Sequence, residues 1–196
     1  MTVPSPLTSD KSAIRDRLRA QRREYAASLA PKTRAALEQQ LADALEPLLF
    51  KASIVAAYFP MKDEISALPA LERAAAMGKI VALPAFADRD SRMTFRAGDA
   101  IQAGPWGILQ PAVAAPTVSP DLLLIPLIAV DRQGNRIGMG KGHYDRALPG
   151  LRNAGATLVG VGWDFQVVGE SLTPDPWDVP LDGFASPAGY QEFAHA

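Results

Sequence analysis

The chain has 196 residues, 48% of them hydrophobic, and a formal net charge of -1. That is enough apolar side chain for the packed core of one domain, and the balanced charge offers no overall pull toward nucleic acid or an anionic membrane. Cysteine is absent and only His143 and His195 carry imidazole, which excludes disulfides, thiolate metal sites, a cysteine nucleophile and a histidine-rich metal centre.

Residues 1–8 hold two prolines and small polar residues and are expected to form a flexible leader, with 9–196 as one domain. Ser9 or Asp10 can cap a first helix running to about Leu29. Pro31 suits the start of a second helix, in which Leu37, Leu41, Leu45 and Leu48 recur at helical spacing. Ser53 to Phe59 is a predicted strand, followed by the polar turn Met61–Glu64. Leu68 to Met77 is a predicted helix with Gly78 as its stop. A strand from Ile80 ends at Pro84, a turn covers Asp88 to Arg92, and Met93 to Arg96 forms a short strand. Leu122 to Pro126 has the continuous apolar run of a strand buried on both faces. A helix over Tyr144 to Asn153 and a strand over Thr157 to Gly162 follow. This alternation predicts an α/β fold, an open and mostly parallel, Rossmann-like sheet with helices on both faces in three layers. No apolar run approaches the ~20 residues that span a bilayer, so a soluble cytoplasmic protein is expected, and a monomer.

In such sheets ligands sit beyond the carboxyl ends of the strands. Phe59 to Glu64, Pro84 to Phe86, the segment after Pro126 and Trp163 to Gln166 all follow predicted strands, so they should meet on one rim. The third of these is the richest in chemistry. Gly134, Gly138, Gly140 and Gly142 let backbone amides approach an anion closely, Arg136 and Lys141 add charge, and a helix N-terminus follows. The spacing matches neither a Walker A loop nor a dinucleotide fingerprint. The alternative is a mobile surface hairpin.

Eight of the 20 basic residues lie between Lys11 and Arg34. On a helical wheel Lys11, Arg15 and Arg22 border the apolar stripe of Ile14, Leu18 and Tyr25. They could lean over a groove, or simply snorkel from the edge of the core. Arg17 and Arg23 point elsewhere. Asp145 could cap its helix or hold Mg2+, and Asp178, between two prolines, could be a turn residue or a metal ligand. Glu64 taken alone reads as a solvated turn carboxylate. Phe59 and Trp106 offer apolar faces to a flat heterocycle or to the core.

Together these segments resemble the 5-formyltetrahydrofolate cyclo-ligase (5,10-methenyltetrahydrofolate synthetase) family, from Lys11 to about Asp182. The most specific stretch is DRQGNRIGMGKGHYDR, residues 131–146, which is similar to the pattern D-x-x-G-x-R-x-G-x-G-x-G-[YF]-Y-D. Lys11-x3-Arg15, YFPMKDEIS and WGILQP agree in order and spacing. His143 stands where the family commonly has Tyr or Phe.

The resemblance implies ATP- and Mg2+-dependent closure of 5-formyltetrahydrofolate to 5,10-methenyltetrahydrofolate, with release of ADP and phosphate through a phosphorylated formyl group. It implies ATP contacts from Lys11, Arg15 and the loop Arg136, Ile137, Gly138, Met139, Gly140, Lys141, Gly142, His143 and Tyr144. It implies folate contacts from Phe59, Glu64, Trp106 and residues 139–143, and Mg2+ at Asp145 and Asp178. Lys11, Arg15, Arg136 and Lys141 are the expected charge clamp, because phosphoryl transfer needs positioning and neutralisation more than a covalent catalyst. Three rivals remain: a non-catalytic folate-binding protein, a nucleic-acid module built on the basic first helix, and a sugar-phosphate isomerase on a similar sheet.

Overall fold

The computed structural model describes residues 11–88 and 91–194. The leader, the proposed caps Ser9 and Asp10, and His195 lie outside the described residues. In chain order the elements are α1 (Lys11–Ser28), α2 (Pro31–Lys51), β1 (Ile54–Ala56), α3 (Leu68–Ala76), β2 (Ile80–Ala85), β3 (Thr94–Ala97), β4 (Gln102–Ala103), β5 (Leu109–Gln110), β6 (Thr117–Val118), β7 (Leu122–Pro126), β8 (Ala129–Val130), β9 (Arg136–Ile137), α4 (His143–Asn153), β10 (Thr157–Val161), β11 (Gly183–Ser186) and β12 (Gly189–Glu192). Single 3-10 turns cover Pro105–Gly107 and Asp164–Gln166.

Eight strands form one sheet in the order β12-β11-β10-β7-β1-β2-β3-β6. The run from β11 to β2 is parallel, and β12, β3 and β6 close the two edges with antiparallel pairs. Strand alternation divides the core between the two faces. Val55, Leu124, Val159 and Val161 pack with Leu41, Leu45 and Leu49 of α2 and Ala70, Leu71 and Ala74 of α3. Ala56, Leu123, Ile125 and Leu158 face the other way, onto Leu148 and Leu151 of α4. This is the expected three-layer, mostly parallel α/β arrangement. Helix α1 lies outside those layers. Its Ile14 and Leu18 pack on Ile128, Ala129 and Ile137 of the small β8–β9 hairpin, which continues from the carboxyl end of β7. Among the described residues no helix is long and apolar enough to cross a membrane.

Two strand ends differ from expectation for physical reasons. Strand β1 ends at Ala56 rather than Phe59, because the chain turns away from the sheet and buries Tyr58 and Glu64. Strand β2 runs through Pro84 to Ala85 instead of ending there. The Ala82 carbonyl accepts from Ala57, just after β1, so by alternation the nitrogen of Pro84 faces the same side, where the chain after β1 has already departed and no ladder bond is lost. Strands β4, β5, β6, β8, β9, β11 and β12 had no counterpart in the predicted elements.

Candidate active site

Where β1, β2 and β7 end, a cavity of about 490 Å³ opens. Phe59, Met61 and Glu64 reach it from the turn after β1, Pro84 and Phe86 from the end of β2, and Pro126 from the end of β7. The glycine loop and the first residues of α4 form a second wall, and Ile108, Leu109 and Gln110 a third. Three of the four expected rim segments therefore converge. The fourth supports the cavity from behind: Trp163 and Gln166 are each 1% exposed. The Trp163 indole donates to the Asp63 carbonyl at 3.1 Å, and the Gln166 amide donates to the carbonyls of Leu127 and Ile128 at 2.7 and 3.1 Å.

The glycine loop is held, not free. Asp131, 1% exposed, accepts from the backbone of Gln133, Asn135 and Leu172 at 2.8–3.0 Å. Gly134 has φ +83, and a Cβ there would lie 2.4 Å from the Leu181 carbonyl oxygen, so only glycine fits the turn. Beyond it, Gly140 and Gly142 also take positive φ, and Gly142 caps α4. The loop thus delivers Lys141, exposed, and the α4 N-terminus, with His143, Tyr144 and Asp145, to the cavity. Ile137 faces the other way, into the core beneath α1.

Arg136 is the loop's fixed cation. One of its terminal nitrogens bonds Asp145, and its side chain is 6% exposed. Its buried Nε has no hydrogen-bond partner among the described residues. Tyr144 lines the cavity, and burial, with Glu64 nearby, pushes its hydroxyl far above the usual range, so it stays a neutral donor. The His143 ring meets Phe86 edge to face with centroids 4.8 Å apart. Arg146 lies 3.1 Å from its Nδ1. A guanidinium can only donate, so Nδ1 is the acceptor and the neutral ring carries its proton on Nε2. Burial, then Arg146 and Lys141, holds the imidazole pKa below its usual value. An aromatic contact therefore survives at the position where the sequence departs from the family pattern.

The cations of α1 have separate tasks. Arg15 Nε donates to the Gly138 carbonyl at 3.0 Å and so ties the helix to the loop. Lys11, one turn earlier, is paired with Asp175 at 2.8 Å and Asp178 at 3.3 Å. Neither Lys11 nor Asp178 lines the cavity. Arg19, exposed at the cavity wall, was not singled out from the sequence, although it shares the face of Arg15 one turn on. Arg22, at the border of the apolar stripe, neither leans over the groove nor snorkels to solvent; it is 2% exposed and inside.

Glu64 is not a solvated turn carboxylate. It is 5% exposed, accepts from the Met61 amide at 2.8 Å and sits 3.5 Å from Arg22. Burial raises its pKa, against the opposing pull of the Met61 bond and of Arg22. Gln110, also missed from the sequence, clamps Phe86 by accepting from its amide and donating to its carbonyl, both at 3.1 Å. The side chain of Trp106 lies outside what the structure describes; its neighbours Ile108 to Gln110 line the cavity.

The donor chemistry suits a hard divalent cation at Asp145. Its carboxylate is about one-third exposed on the cavity wall, beside the glycine loop. No cluster of three acidic or histidine side chains occurs among the described residues. A cation here would rest on one carboxylate, with phosphate oxygens and water as its other ligands, the usual manner for Mg2+.

The 5-formyltetrahydrofolate cyclo-ligase family model matches residues 7–187. A 5-formyltetrahydrofolate cyclo-ligase of Haemophilus influenzae is 32% identical over 67% of this chain and 74% of its own length. That of Escherichia coli K12 is 29% identical over 87% of this chain and 99% of its own. The solution structure of Aquifex aeolicus 5,10-methenyltetrahydrofolate synthetase superposes with a TM-score of 0.77 at 28% identity, covering 95% of this chain and 94% of that one. With the family model spanning nearly all of the chain, this protein belongs to the 5-formyltetrahydrofolate cyclo-ligase family and is a ligase.

Proposed function

We propose that the protein closes 5-formyltetrahydrofolate to 5,10-methenyltetrahydrofolate at the expense of ATP, releasing ADP and phosphate, with Mg2+ as cofactor. The observation that carries this reading is one cavity in which an apolar slot, floored by the buried Glu64, meets a phosphate-type loop with a fixed arginine. Phe59, Met61, Phe86 and Leu109 suit a flat heterocycle, and Glu64 offers acceptors to its ring N–H groups. The α4 N-terminus, the glycine-loop amides, Lys141 and Arg15 suit the ATP phosphates. Trp106 belongs to the folate wall in this reading.

The formyl group on N5 is an amide, and its oxygen is a poor leaving group. Transfer of the γ-phosphoryl group to that oxygen gives an imidate phosphate and ADP. N10 then attacks the formyl carbon, the ring closes, and phosphate departs as N10 gives up its proton to the leaving phosphate or to water. The chain's part is to align the two substrates and neutralise charge. Arg136 and Lys141 neutralise phosphate oxygens, while Arg15 fixes the loop and adds its own charge. Mg2+ held by Asp145 would screen the phosphates when bound. Lys11 and Asp178 serve this site only by exchanging their mutual ion pair for phosphate and metal. Tyr144, a neutral donor, can hydrogen-bond a ligand oxygen near Arg136.

The experiment is direct. Protein, 5-formyltetrahydrofolate, ATP and Mg2+ are mixed, and methenyl absorbance is followed together with phosphate release. Product that forms without ATP, or no product with it, defeats the proposal.

A further inference from the structure

Arg22 is the most buried cation of the chain's basic first helix, and neither the clamp nor the folate contacts account for it. Its Nε donates to Asp63 at 2.9 Å. One terminal nitrogen lies 3.4 Å from the Leu127 carbonyl and 3.5 Å from Glu64 Oε1, and the other lies 3.8 Å from the Met139 sulfur. One guanidinium therefore touches the turn after β1, the exit of β7 and the glycine loop. These are the folate side and the phosphate side of the proposed site.

We propose that Arg22 is a positioning residue of this cavity, which holds Glu64 as the carboxylate and sets the 59–64 turn against the glycine loop. Only the consequence for catalysis rests on the proposed function. Removing a charge from water is costly unless it is paired and hydrogen-bonded, and here the pairing is with both Asp63 and Glu64. Two carboxylates against one guanidinium leave the cluster one negative charge in excess. The groups facing Glu64 are Arg22 from α1, Arg34 from α2, which donates to the Glu64 backbone carbonyl and is paired with Glu38, Asp63 and the Met61 amide from its own turn, Tyr58 after β1 and Tyr144 from α4. Of the two cations, Arg22 is the one beside the Glu64 carboxyl group, at 3.5 Å, and its charge opposes the effect of burial there.

The test uses Arg22→Met, Arg22→Lys and Glu64→Gln in the full chain. The Glu64 carboxyl is titrated by carbon NMR in the ligand-free protein, and KM for 5-formyltetrahydrofolate and for ATP is measured against pH. An opposite charge within ~4–6 Å shifts a carboxyl by ~1–3 pH units, so Arg22→Met should move the Glu64 titration and the acidic limb of the folate KM upward by about that much. Arg22→Lys should restore the titration in part, because it keeps the charge but loses the fork that binds Asp63 and Leu127. In the Glu64→Gln background, replacing Arg22 should leave the acidic limb of the folate KM unmoved. An unshifted Glu64 titration in folded Arg22→Lys and Arg22→Met overturns the inference. If Arg22→Met does not fold, Arg22→Lys decides alone: a Glu64 titration identical to wild type overturns it. The NMR measurement needs no substrate, so a shifted titration in a protein lacking cyclo-ligase activity would defeat the functional proposal and leave the Arg22 inference standing.

Discussion

Arg15→Ala separates anchoring of the phosphate loop from general surface charge. Among the described residues Arg15 makes one side-chain hydrogen bond, from Nε to the Gly138 carbonyl at 3.0 Å. A hydrogen bond involving a charged group contributes about 1.5–3 kcal/mol. At 1.36 kcal/mol per factor of ten, losing it from the productive loop geometry costs roughly 10–150-fold in kcat/KM for ATP. Loss of the charge itself adds to this if Arg15 also touches phosphate, since clamping cations in related chemistry are worth ~10³-fold or more. The control is Arg17→Ala on the same helix. Arg17 pairs with Glu170 at 3.1 Å, but both side chains are at least half exposed, and such pairs contribute about 0–1 kcal/mol. Steady-state kinetics in ATP, with thermal melts to verify folding, make the comparison. Arg15→Ala should lose at least tenfold while Arg17→Ala stays at wild type. Equal kcat/KM in the two variants would refute the anchoring argument.

Lys141→Ala should lower turnover strongly with an unchanged melting temperature, because Lys141 is exposed at the cavity and carries little of the fold; wild-type turnover would remove it from the clamp. Asp145→Asn should raise the Mg2+ concentration needed for half-maximal rate, and an unchanged Mg2+ titration would reduce Asp145 to a partner of Arg136. Glu64→Gln bears on stability as well as turnover. The folded protein holds the Glu64 proton more tightly than the unfolded chain, so its contribution is fully present below the ordinary carboxyl value of 4.5 and is lost as pH rises through the raised folded value. The stability of wild type relative to Glu64→Gln should therefore fall from pH 4 toward neutrality, read by denaturant unfolding; a difference that grows with pH would contradict the burial argument. Gly134→Ala combines positive φ with a backbone clash at Leu181, and should destabilise by at least ~1–3 kcal/mol; an unchanged melting temperature would show that the turn can relax.

Strong local patterns were readable in the chain. The apolar run Leu122 to Pro126 is strand β7 with the expected bounds, and Pro31 opens α2. The glycine loop reaches the predicted rim, since glycine spacing, embedded cations and a following helix are all local features. What escaped was set by distant packing. Glu64 looks like a surface turn residue until α1 and the Trp163 segment close over its turn. Arg22 lies at the edge of the apolar stripe on a helical wheel, and only its partners Asp63 and Leu127 draw it inside. The two-residue strands β8 and β9 are too short for periodicity to register, and the glycine pattern between them suggests a plain loop. Gln110 carries no signal of its own, because its clamp on Phe86 forms between residues brought together by the fold.

The central claim is that one cavity joins a phosphate loop to a folate slot. Its most direct test is a single-turnover mixture of protein, 5-formyltetrahydrofolate and ATP with Mg2+, in which methenyl product and phosphate are quantified together. The account predicts equal amounts of the two, both dependent on ATP and both depressed by Lys141→Ala. Methenyl product without ATP, or phosphate release that is indifferent to the folate, would contradict it.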